Sequence, residues 1–368
     1  MKAVDHGGNL KKFSKRFQAA EKDILDFSCN ITPFGLPEPV RKLYPELADR
    51  LTSYPDPLSQ ELRAEIARQY PLFPENILAG NGSMDLLALL IRTLAPKRAL
   101  LVEPCFQEYR RLLHLEGAQV QSVSLKEGNQ FQFPYKEIFA ALQNMDLLIL
   151  CHPNNPTGTA LRREELLELL NECRRRNIFV IVDEAFADWN PELSVVREIK
   201  DNSYFAVLRS LTKFYALAGI RAGYAVGSRR LIETLAARQD PWSMNVVAQA
   251  LSVAALRDAA FREQSLAWFQ EESAWVLQAA QSLDGLRFFS SLANFFLVKV
   301  TVPQVSAENL FEFCGERKIY IRLLKDFPGL GDAYCRMGLR GREDNQRLFE
   351  VLREWTAKHK DSFFASQS

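Results

Sequence analysis

Three short apolar runs, each followed directly by a polar turn, are the feature that most constrains the fold of this chain. They occupy residues 99–102, 147–151 and 179–182. Short, uninterrupted apolar runs are typical of strands buried on both faces of a parallel sheet. Apolar residues at helical spacing between them, as in 164–176, indicate crossover helices. The sequence therefore predicts an α/β fold with a mostly parallel central sheet flanked by helices.

The polar segments that follow these strands are the expected place for a ligand. Glu103 and Pro104 follow the first strand, residues 152–156 follow the second, and Asp183 and Glu184 follow the third. Open α/β sheets bind their ligands at the carboxyl ends of the strands. We therefore expect one site built from these three turns.

The chain length and a change of pattern near residue 241 predict two domains. A chain of 368 residues suits about two cores at ~150 residues each. A helical region at 246–283 is followed by strand-like segments at 295–300 and 318–323 and by a helix at 343–355. We predict a large ligand-binding domain at 41–245 and a small α+β domain at 246–356. Residues 1–40 are expected to contribute to the active site and the small domain, and residues 357–368 to form a flexible tail.

The composition argues against several classes of partner. With 46 basic and 45 acidic residues, the net charge of +1 gives no reason to expect nucleic acid or a membrane surface as a partner. The polar N-terminus does not read as a secretory signal, and no run reaches the ~18 apolar residues that span a bilayer. The six scattered cysteines form no C-x-x-C pair, so we expect no metal site and a cytoplasmic location.

Lys213 lies in the most informative local motif. It ends the run Ser210-Leu211-Thr212-Lys213, and Arg221 follows eight residues later. A lysine amine acts as a nucleophile only where its surroundings lower its pKa. Two hydroxyls and a guanidinium group near it can hold a dianionic phosphate through charge-assisted hydrogen bonds. Taken alone, the same motif also describes an ordinary surface turn.

Three further motifs can contribute to the same chemistry. Asp183 closes a buried strand, where its carboxylate could pair with a protonated ring nitrogen. Asn155 lies in a Pro/Gly-rich turn, and Gly82 and Ser83 open a helix whose N–H groups suit an anion. Each motif also has a purely structural explanation, as a helix cap, a rigid turn or a helix entry.

Together, and in this order, the four motifs resemble those of the fold-type I pyridoxal 5′-phosphate (PLP) enzymes, the aspartate aminotransferase superfamily. The resemblance runs from about residue 24 to residue 355 and implies that superfamily's fold and its cofactor, PLP. It implies that Lys213 holds PLP as a Schiff base, that Asp183 pairs with the pyridine nitrogen, and that Asn155 contacts the phenolic oxygen. The other implied cofactor-binding residues are Gly82, Ser83, Met84, Phe106, Ser210, Thr212 and Arg221.

Two more positions carry implications of the same resemblance. Tyr54 matches a tyrosine that reaches the cofactor phosphate of the neighbouring subunit, which implies a homodimer with shared active sites. Phe186 stands where many members have a tyrosine that contacts the phenolic oxygen. Phenylalanine has no hydroxyl, so that oxygen is expected to depend more on Asn155.

Within this superfamily the chain resembles two families that act on phosphorylated substrates. In the histidinol-phosphate aminotransferases, arginines matching Arg322 and Arg336 meet the substrate's phosphate and an amino-acid carboxylate. Segments 6–9, 25–31, 239–245 and 327–331, together with Arg340, resemble the L-threonine O-phosphate decarboxylases instead. The residues implied to bind substrate are His6, Gly8, Asn9, Asn30, Asn155, Arg322, Arg336 and Arg340.

The second resemblance leads us to expect decarboxylation of L-threonine O-3-phosphate to (R)-1-aminopropan-2-yl phosphate for the cobalamin nucleotide loop. PLP weakens whichever bond on the α-carbon stands perpendicular to its ring, so a moved or added cation can change the reaction. The alternatives are a histidinol-phosphate-like aminotransferase and a non-catalytic PLP-fold module. Two questions stay open at the level of sequence: whether L-serine O-phosphate is also a substrate, and which arginine takes the phosphate.

Overall fold

The computed structural model describes residues 7–199 and 204–360. The helices are α1 (Leu10–Phe17), α2 (Glu38–Leu43), α3 (Gln60–Gln69), α4 (Ser83–Leu94), α5 (Glu108–Leu115), α6 (Tyr135–Ala141), α7 (Arg163–Arg175), α8 (Arg229–Ala236), α9 (Val246–Arg257), α10 (Ala259–Ala280), α11 (Ala307–Glu316) and α12 (Arg342–Lys358). The strands are β1 (Leu25–Asp26), β2 (Ile77–Gly80), β3 (Arg98–Glu103), β4 (Gln119–Ser124), β5 (Leu147–Cys151), β6 (Phe179–Asp183), β7 (Phe205–Ser210), β8 (Gly223–Val226), β9 (Leu286–Phe288), β10 (Phe295–Val300), β11 (Ile319–Tyr320), β12 (Arg322–Leu323) and β13 (Tyr334–Gly338).

A seven-stranded sheet in the order β2-β8-β7-β6-β5-β3-β4 forms the centre of the larger part. Only β8 runs antiparallel to its neighbours, β2 and β7. The three apolar runs recognised in the sequence are β3, β5 and β6, which lie side by side. The expected α/β fold with a mostly parallel sheet is confirmed.

Helices cover both faces of this sheet, and this explains why the sequence of β5 is apolar throughout. Leu147 and Ile149 pack towards α4 and α5, whereas Leu148 and Leu150 pack towards α7. A strand buried on both sides has no face left for polar residues. The unbroken apolar run is therefore a direct consequence of the two helical layers.

The C-terminal part contains a four-stranded antiparallel sheet in the order β12-β13-β10-β9. The strand-like region expected at 318–323 divides at Ile321 into β11, which pairs with β1, and β12, which pairs with β13. The pairing of β1 with β11 is parallel and joins Leu25 to Ile319. The N-terminal segment that contains β1 is thus attached to the C-terminal part by backbone pairing.

The helical region expected at 246–283 is two helices. Asp258 separates α9 from α10, and its carboxylate accepts a hydrogen bond from the Phe261 amide at 2.9 Å, which caps the second helix. Helix α9 packs against α2 and α3, which belong to the first half of the chain. The boundary expected between residues 245 and 246 stays a prediction.

Glu127 forms polar contacts that join the larger part of the chain to the smaller sheet. It lies just after β4 and accepts hydrogen bonds from Lys299 Nζ and from the Tyr334 hydroxyl, each at 2.8 Å. Arg287 also pairs with it at 3.4 Å. These three partners belong to β9, β10 and β13, so Glu127 ties the smaller sheet to the larger part.

In the part of the chain that the structure describes, no helix is both long enough and apolar enough to cross a lipid bilayer.

A buried ion pair connects β7 to the segment that follows β6. Arg209 Nη1 donates to Glu184 Oε2 at 2.8 Å, and Nη2 pairs with Asp188. The side chains of Arg209 and Glu184 are 3% and 0% exposed. Glu184 also accepts hydrogen bonds from the Ser194 hydroxyl and the Val195 amide. This network fixes the ends of the two strands that carry Asp183 and lead to the loop of Lys213.

We expect Arg209→Ala to lower the free energy of unfolding by about 3–5 kcal/mol, because it leaves the buried Glu184 charge unpaired. Lys42→Ala removes a cation from an exposed pair with Glu38 and should change stability little. Urea unfolding of both variants followed by circular dichroism measures the difference. Equal stability losses would contradict a structural role for the buried pair.

Candidate active site

A cavity of about 640 Å³ opens at the carboxyl ends of β3, β5, β6 and β7. The three turns expected to hold a ligand all contribute to this end of the sheet. The expected site residues whose atoms line the cavity are Asn30, Ser83, Met84, Phe106, Asn155, Asp183, Ser210, Thr212, Lys213, Arg221, Arg322 and Arg336. Residues separated by more than three hundred positions in the sequence therefore meet in one place.

Lys213 points into this cavity from the loop after β7. Its location in the protein interior lowers its pKa from the ordinary value, and the nearby Arg336 and Arg221 lower the pKa further. Cys29 and Asp183 act in the opposite direction. A lysine with a lowered pKa spends more time as the neutral amine, which is its nucleophilic form.

Asp183 lies at the end of β6 with only 6% of its surface exposed. Burial raises the pKa of this carboxyl group, while hydrogen bonds from Tyr109 and Ala185 oppose the increase. The Tyr109 hydroxyl donates to Oδ2 at 2.7 Å, and the Ala185 amide donates to Oδ1 at 3.0 Å. Asp183 is thereby held in one orientation at the wall of the cavity.

A cradle for an anion forms where α4 begins. Gly82 precedes the helix with φ +86°, and a Cβ atom there would lie 2.6 Å from Arg221 Nη2. The hydroxyls of Ser210 and Thr212 lie 2.7 Å apart on the same side of the cavity. Backbone amides of a helix N-terminus, two hydroxyls and a guanidinium group suit a phosphate.

Arg336 is a buried cation whose hydrogen bonds go to neutral oxygens. Nη1 donates to Asn155 Oδ1 at 2.5 Å and Nη2 donates to the Ser28 carbonyl at 2.9 Å. Among the described residues, Nε has no hydrogen-bond partner, and neither does the buried Asn30 Oδ1. Burial and the neighbouring Arg322 lower the pKa of Arg336 to about 10. The buried positive charge favours an anionic ligand, and the two unpartnered atoms, Arg336 Nε and Asn30 Oδ1, favour a ligand with additional polar groups.

Arg322 and Arg336 are direct neighbours across two strands. They are register partners on the antiparallel strands β12 and β13, and both line the cavity. Two guanidinium groups in this arrangement can bind two anionic groups of one small molecule.

Aromatic side chains close much of the remaining wall. Phe106 and Phe186 line the cavity, and the Phe186 ring packs edge-on against Phe295 at 5.1 Å between centroids. Phe327 enters from the C-terminal part, where Gln107 Nε2 holds its loop by donating to the Asp326 carbonyl at 2.8 Å. The site is therefore assembled from both parts of the chain.

Several residues expected from the sequence lie outside the cavity lining. Arg340 pairs instead with Asp344, in the first turn of α12, at 2.8 Å, and donates to the Asp26 carbonyl at 3.2 Å. Asn9 caps α1 by accepting from the Lys12 amide. Both side chains are engaged by local partners that sequence spacing could have suggested.

The N-terminal segment and Tyr54 need separate mention. Gly7 lines the cavity, and the Gly8 amide donates to the Ser28 hydroxyl at 2.8 Å, whereas His6 lies outside the described residues. Tyr54 is 80% exposed and packs on Trp242, with 4.7 Å between ring centroids. Its expected role toward a second subunit stays a prediction.

Tyr109 is a cavity residue that the sequence motifs do not single out. Tyr109 lies three positions after Phe106 on the first turn of α5, and this spacing was the only signal for it. Cys29 also lines the cavity, but burial raises the pKa of its thiol to about 11, so it is not a reactive thiolate.

Within the described ranges no group of three or more histidine, cysteine or acidic side chains could hold a metal ion.

Comparison with known proteins identifies the family. The model of the aminotransferase class I and II family matches residues 22–352, so the chain belongs to that family and the expected membership is confirmed. The "Threonine-phosphate decarboxylase" of Salmonella typhimurium is 35% identical over 350 residues, which cover 95% of each chain.

Solved structures confirm the expected fold. The histidinol-phosphate aminotransferase of Clostridium acetobutylicum superposes with a TM-score of 0.85 at 28% identity, covering 91% of this chain and 100% of that one. The histidinol-phosphate aminotransferase of Sinorhizobium meliloti, solved in complex with PLP, gives 0.83 at 19% identity and covers 97% and 99%. The latter likeness concerns the fold alone.

We expect Gly82→Ala to weaken PLP binding by about tenfold or more, because the added methyl collides with Arg221 and disfavours φ +86°. Gly128→Ala is the matched control, since a Cβ atom there meets nothing within 4 Å. Equilibrium dialysis against PLP measures both affinities. Unchanged binding in Gly82→Ala would show that the cradle does not hold the cofactor.

Proposed function

We propose that this protein is a PLP-dependent decarboxylase of L-threonine O-phosphate that forms CO2 and (R)-1-aminopropan-2-yl phosphate for the cobalamin nucleotide loop. The observation that carries the proposal is the pair Arg322 and Arg336 beside Lys213 in one cavity. An O-phosphorylated amino acid presents both a carboxylate and a phosphate, which matches two guanidinium groups. Similarity to the Salmonella typhimurium enzyme over nearly the whole chain supports this choice.

The residues present fit PLP as the cofactor. Lys213 is placed to attach to it covalently, and the cradle around Gly82 and Arg221 suits its phosphate. Asp183 would pair with the pyridine nitrogen. Arg336 holds Oδ1 of Asn155, which leaves the amide Nδ2 as the group able to donate to the phenolic oxygen.

The side chains around the cavity determine which bond breaks. When bound, PLP supplies an electron sink that weakens the α-carbon bond standing perpendicular to its ring. Arg322 and Arg336, by binding the carboxylate and phosphate together, would turn the substrate so that its carboxylate takes that position. The aromatic residues Phe106, Phe186 and Phe327 line the cavity and would limit the access of water to the reacting atoms.

Lys213 would complete the reaction. With substrate in the cavity, the free Lys213 amine would face the α-carbon. After CO2 leaves, Lys213 Nζ would return a proton to that α-carbon, and its lowered pKa makes proton exchange near neutral pH easier.

An aminotransferase for a phosphorylated substrate is the second candidate. The superposition with the Clostridium acetobutylicum enzyme favours it, because that structure shares the fold and 28% of the sequence. Both arginines also suit this reaction, because histidinol phosphate would bring the phosphate and the keto acid would bring the carboxylate in separate half-reactions. The decarboxylase differs in that one substrate carries both groups. A non-catalytic module is disfavoured because Lys213 and Asp183 are both in place.

We also propose that the protein acts as a cytoplasmic homodimer with shared active sites. The exposed surface around Tyr54 and Trp242 includes Leu51 and Leu58, which are 67% and 53% exposed. Apolar side chains grouped on a surface are typical of an interface. In such a dimer Tyr54 would reach the phosphate of the partner's cofactor.

The reaction is tested by incubating the PLP-loaded protein with L-threonine O-phosphate in the absence of any keto acid. We expect CO2 and aminopropanol phosphate in equal amounts, detected by mass spectrometry. Lys213→Ala is the control and should give neither product. Repetition with L-serine O-phosphate ranks the two substrates, whose difference of one methyl is worth only ~1–3 kcal/mol in a hydrophobic pocket.

Turnover only after addition of histidinol phosphate and 2-oxoglutarate would establish the aminotransferase and exclude the decarboxylase.

Arg336→Ala should raise the KM for the phosphorylated substrate by about 10- to 100-fold, because a charge-assisted hydrogen-bond pair is lost. The affinity for PLP should fall much less than the KM rises, because Arg336 acts on the cofactor only by holding Asn155 Oδ1. The same measurement on Arg322→Ala, and binding of aminopropanol phosphate, which has no carboxylate, identify the arginine that takes the phosphate. A comparable KM increase in Arg340→Ala would restore that residue to the site, and an equal loss of PLP affinity in Arg336→Ala would contradict its proposed role.

A further inference from the structure

Tyr109 makes a hydrogen bond that no catalytic step described above uses. Its side chain is fully buried on the first turn of α5, and its hydroxyl donates to Asp183 Oδ2 at 2.7 Å. Its ring packs edge-on against Phe106, with 5.6 Å between centroids. The tyrosine is therefore held by packing while its one polar atom contacts the carboxylate.

The charge state of Tyr109 is fixed by its surroundings. Burial raises the pKa of its hydroxyl well above the usual range, and the neighbouring Asp183 and Cys151 raise it further. The phenol therefore stays protonated across the working pH range of a protein. It is a permanent donor to Asp183, unlike a histidine, whose donor would appear and disappear with pH.

The other groups around Asp183 leave Tyr109 as its principal polar side-chain contact in the described structure. The Ala185 amide donates to Oδ1 from the same turn, at 3.0 Å. Glu184, whose charge is compensated by Arg209, disfavours ionisation of Asp183, and Lys213 favours it. Cys151, from β5, is held as a neutral thiol because burial raises its pKa to about 12.

We propose that Tyr109 is a positioning residue that keeps Asp183 ionised and correctly oriented toward the ring nitrogen of the cofactor. A hydrogen bond to the charged form of an acid stabilises that form. By occupying Oδ2, the hydroxyl also restricts rotation of the carboxylate. This inference rests on the proposed pairing of Asp183 with the pyridine nitrogen.

The sign of the pH effect follows directly. Removing the hydroxyl destabilises the ionised carboxylate, so the pKa of Asp183 rises further above its ordinary value. The ring nitrogen then loses its charged partner as the pH falls through that higher pKa. The acidic limb of the activity profile should therefore move to higher pH in Tyr109→Phe, by about one pH unit for a hydrogen bond to a charged group.

The experiment compares PLP-loaded wild type and Tyr109→Phe, a change that keeps the ring and its contact with Phe106. The pH dependence of kcat/KM, the pH titration of the visible absorbance of bound PLP, and the PLP dissociation constant are measured. We expect both pH midpoints to rise and the dissociation constant to increase about tenfold. KM for the substrate should change less than kcat, because Tyr109 does not act on the substrate's anionic groups.

Tyr334→Phe is the matched control. It also deletes a hydroxyl that donates to a carboxylate at 2.8 Å, but that carboxylate is Glu127, which does not line the cavity. Equal shifts of the absorbance titration in Tyr109→Phe and Tyr334→Phe would overturn the inference. So would a Tyr109→Phe enzyme whose pH midpoints match those of the wild type.

Asp183→Asn separates this inference from the proposed function. In the Asp183→Asn background, Tyr109→Phe should leave the PLP dissociation constant unchanged, because the amide cannot ionise; a further tenfold increase would show that Tyr109 acts elsewhere. If Asp183→Asn alone leaves PLP affinity and absorbance unchanged, the proposed cofactor arrangement fails. If Asp183→Asn has its effect and Tyr109→Phe has none, only the inference about Tyr109 fails.

Discussion

The guanidinium group of Arg336 is the point at which three separate parts of the chain meet. It is carried by β13 of the smaller sheet and bonds the Asn155 side chain of the large sheet and the Ser28 carbonyl of the N-terminal segment. A cation in the protein interior is costly unless its hydrogen bonds are satisfied. The fold satisfies two of its nitrogens with neutral oxygens and thereby leaves its positive charge to act on a ligand. The geometry of the site depends on this arrangement.

Much of the fold and part of the candidate site could be predicted, because the sequence signals for them are local. The unbroken apolar runs of β3, β5 and β6 reflect burial on both faces, and the residues just after them must lie at one edge of a parallel sheet. The positions of Asn155 and Asp183 follow from this logic, and the resemblance to the PLP enzymes implies their roles and that of Lys213. In the structure all three side chains line one cavity.

Some of the remaining features depend on contacts between residues far apart in the sequence, which spacing cannot reveal, and others on local contacts that were overlooked. The hydrogen bond from Tyr109 to Asp183 joins residues 74 positions apart, and nothing in the motif near Phe106 identifies its partner. The resemblance implies that Arg340 binds substrate, yet Asp344, four residues later in the first turn of α12, binds its guanidinium group. The region 246–283 is divided into two helices because Asp258, a polar residue inside an otherwise helical pattern, caps the second helix.

The contact at Glu127 differs in kind from the contacts at Arg336. Its partners Lys299 and Arg287 are 28% and 47% exposed, so solvent and dissolved ions reach this cluster. Salt screens such pairs over a Debye length of about 8 Å at physiological ionic strength. The polar attachment of the smaller sheet at this edge is therefore responsive to ionic strength, whereas the buried contacts of Arg336 are shielded from it. Added electrolyte would weaken the Glu127 contacts between the smaller sheet and the larger part while leaving the Arg336 contacts in place.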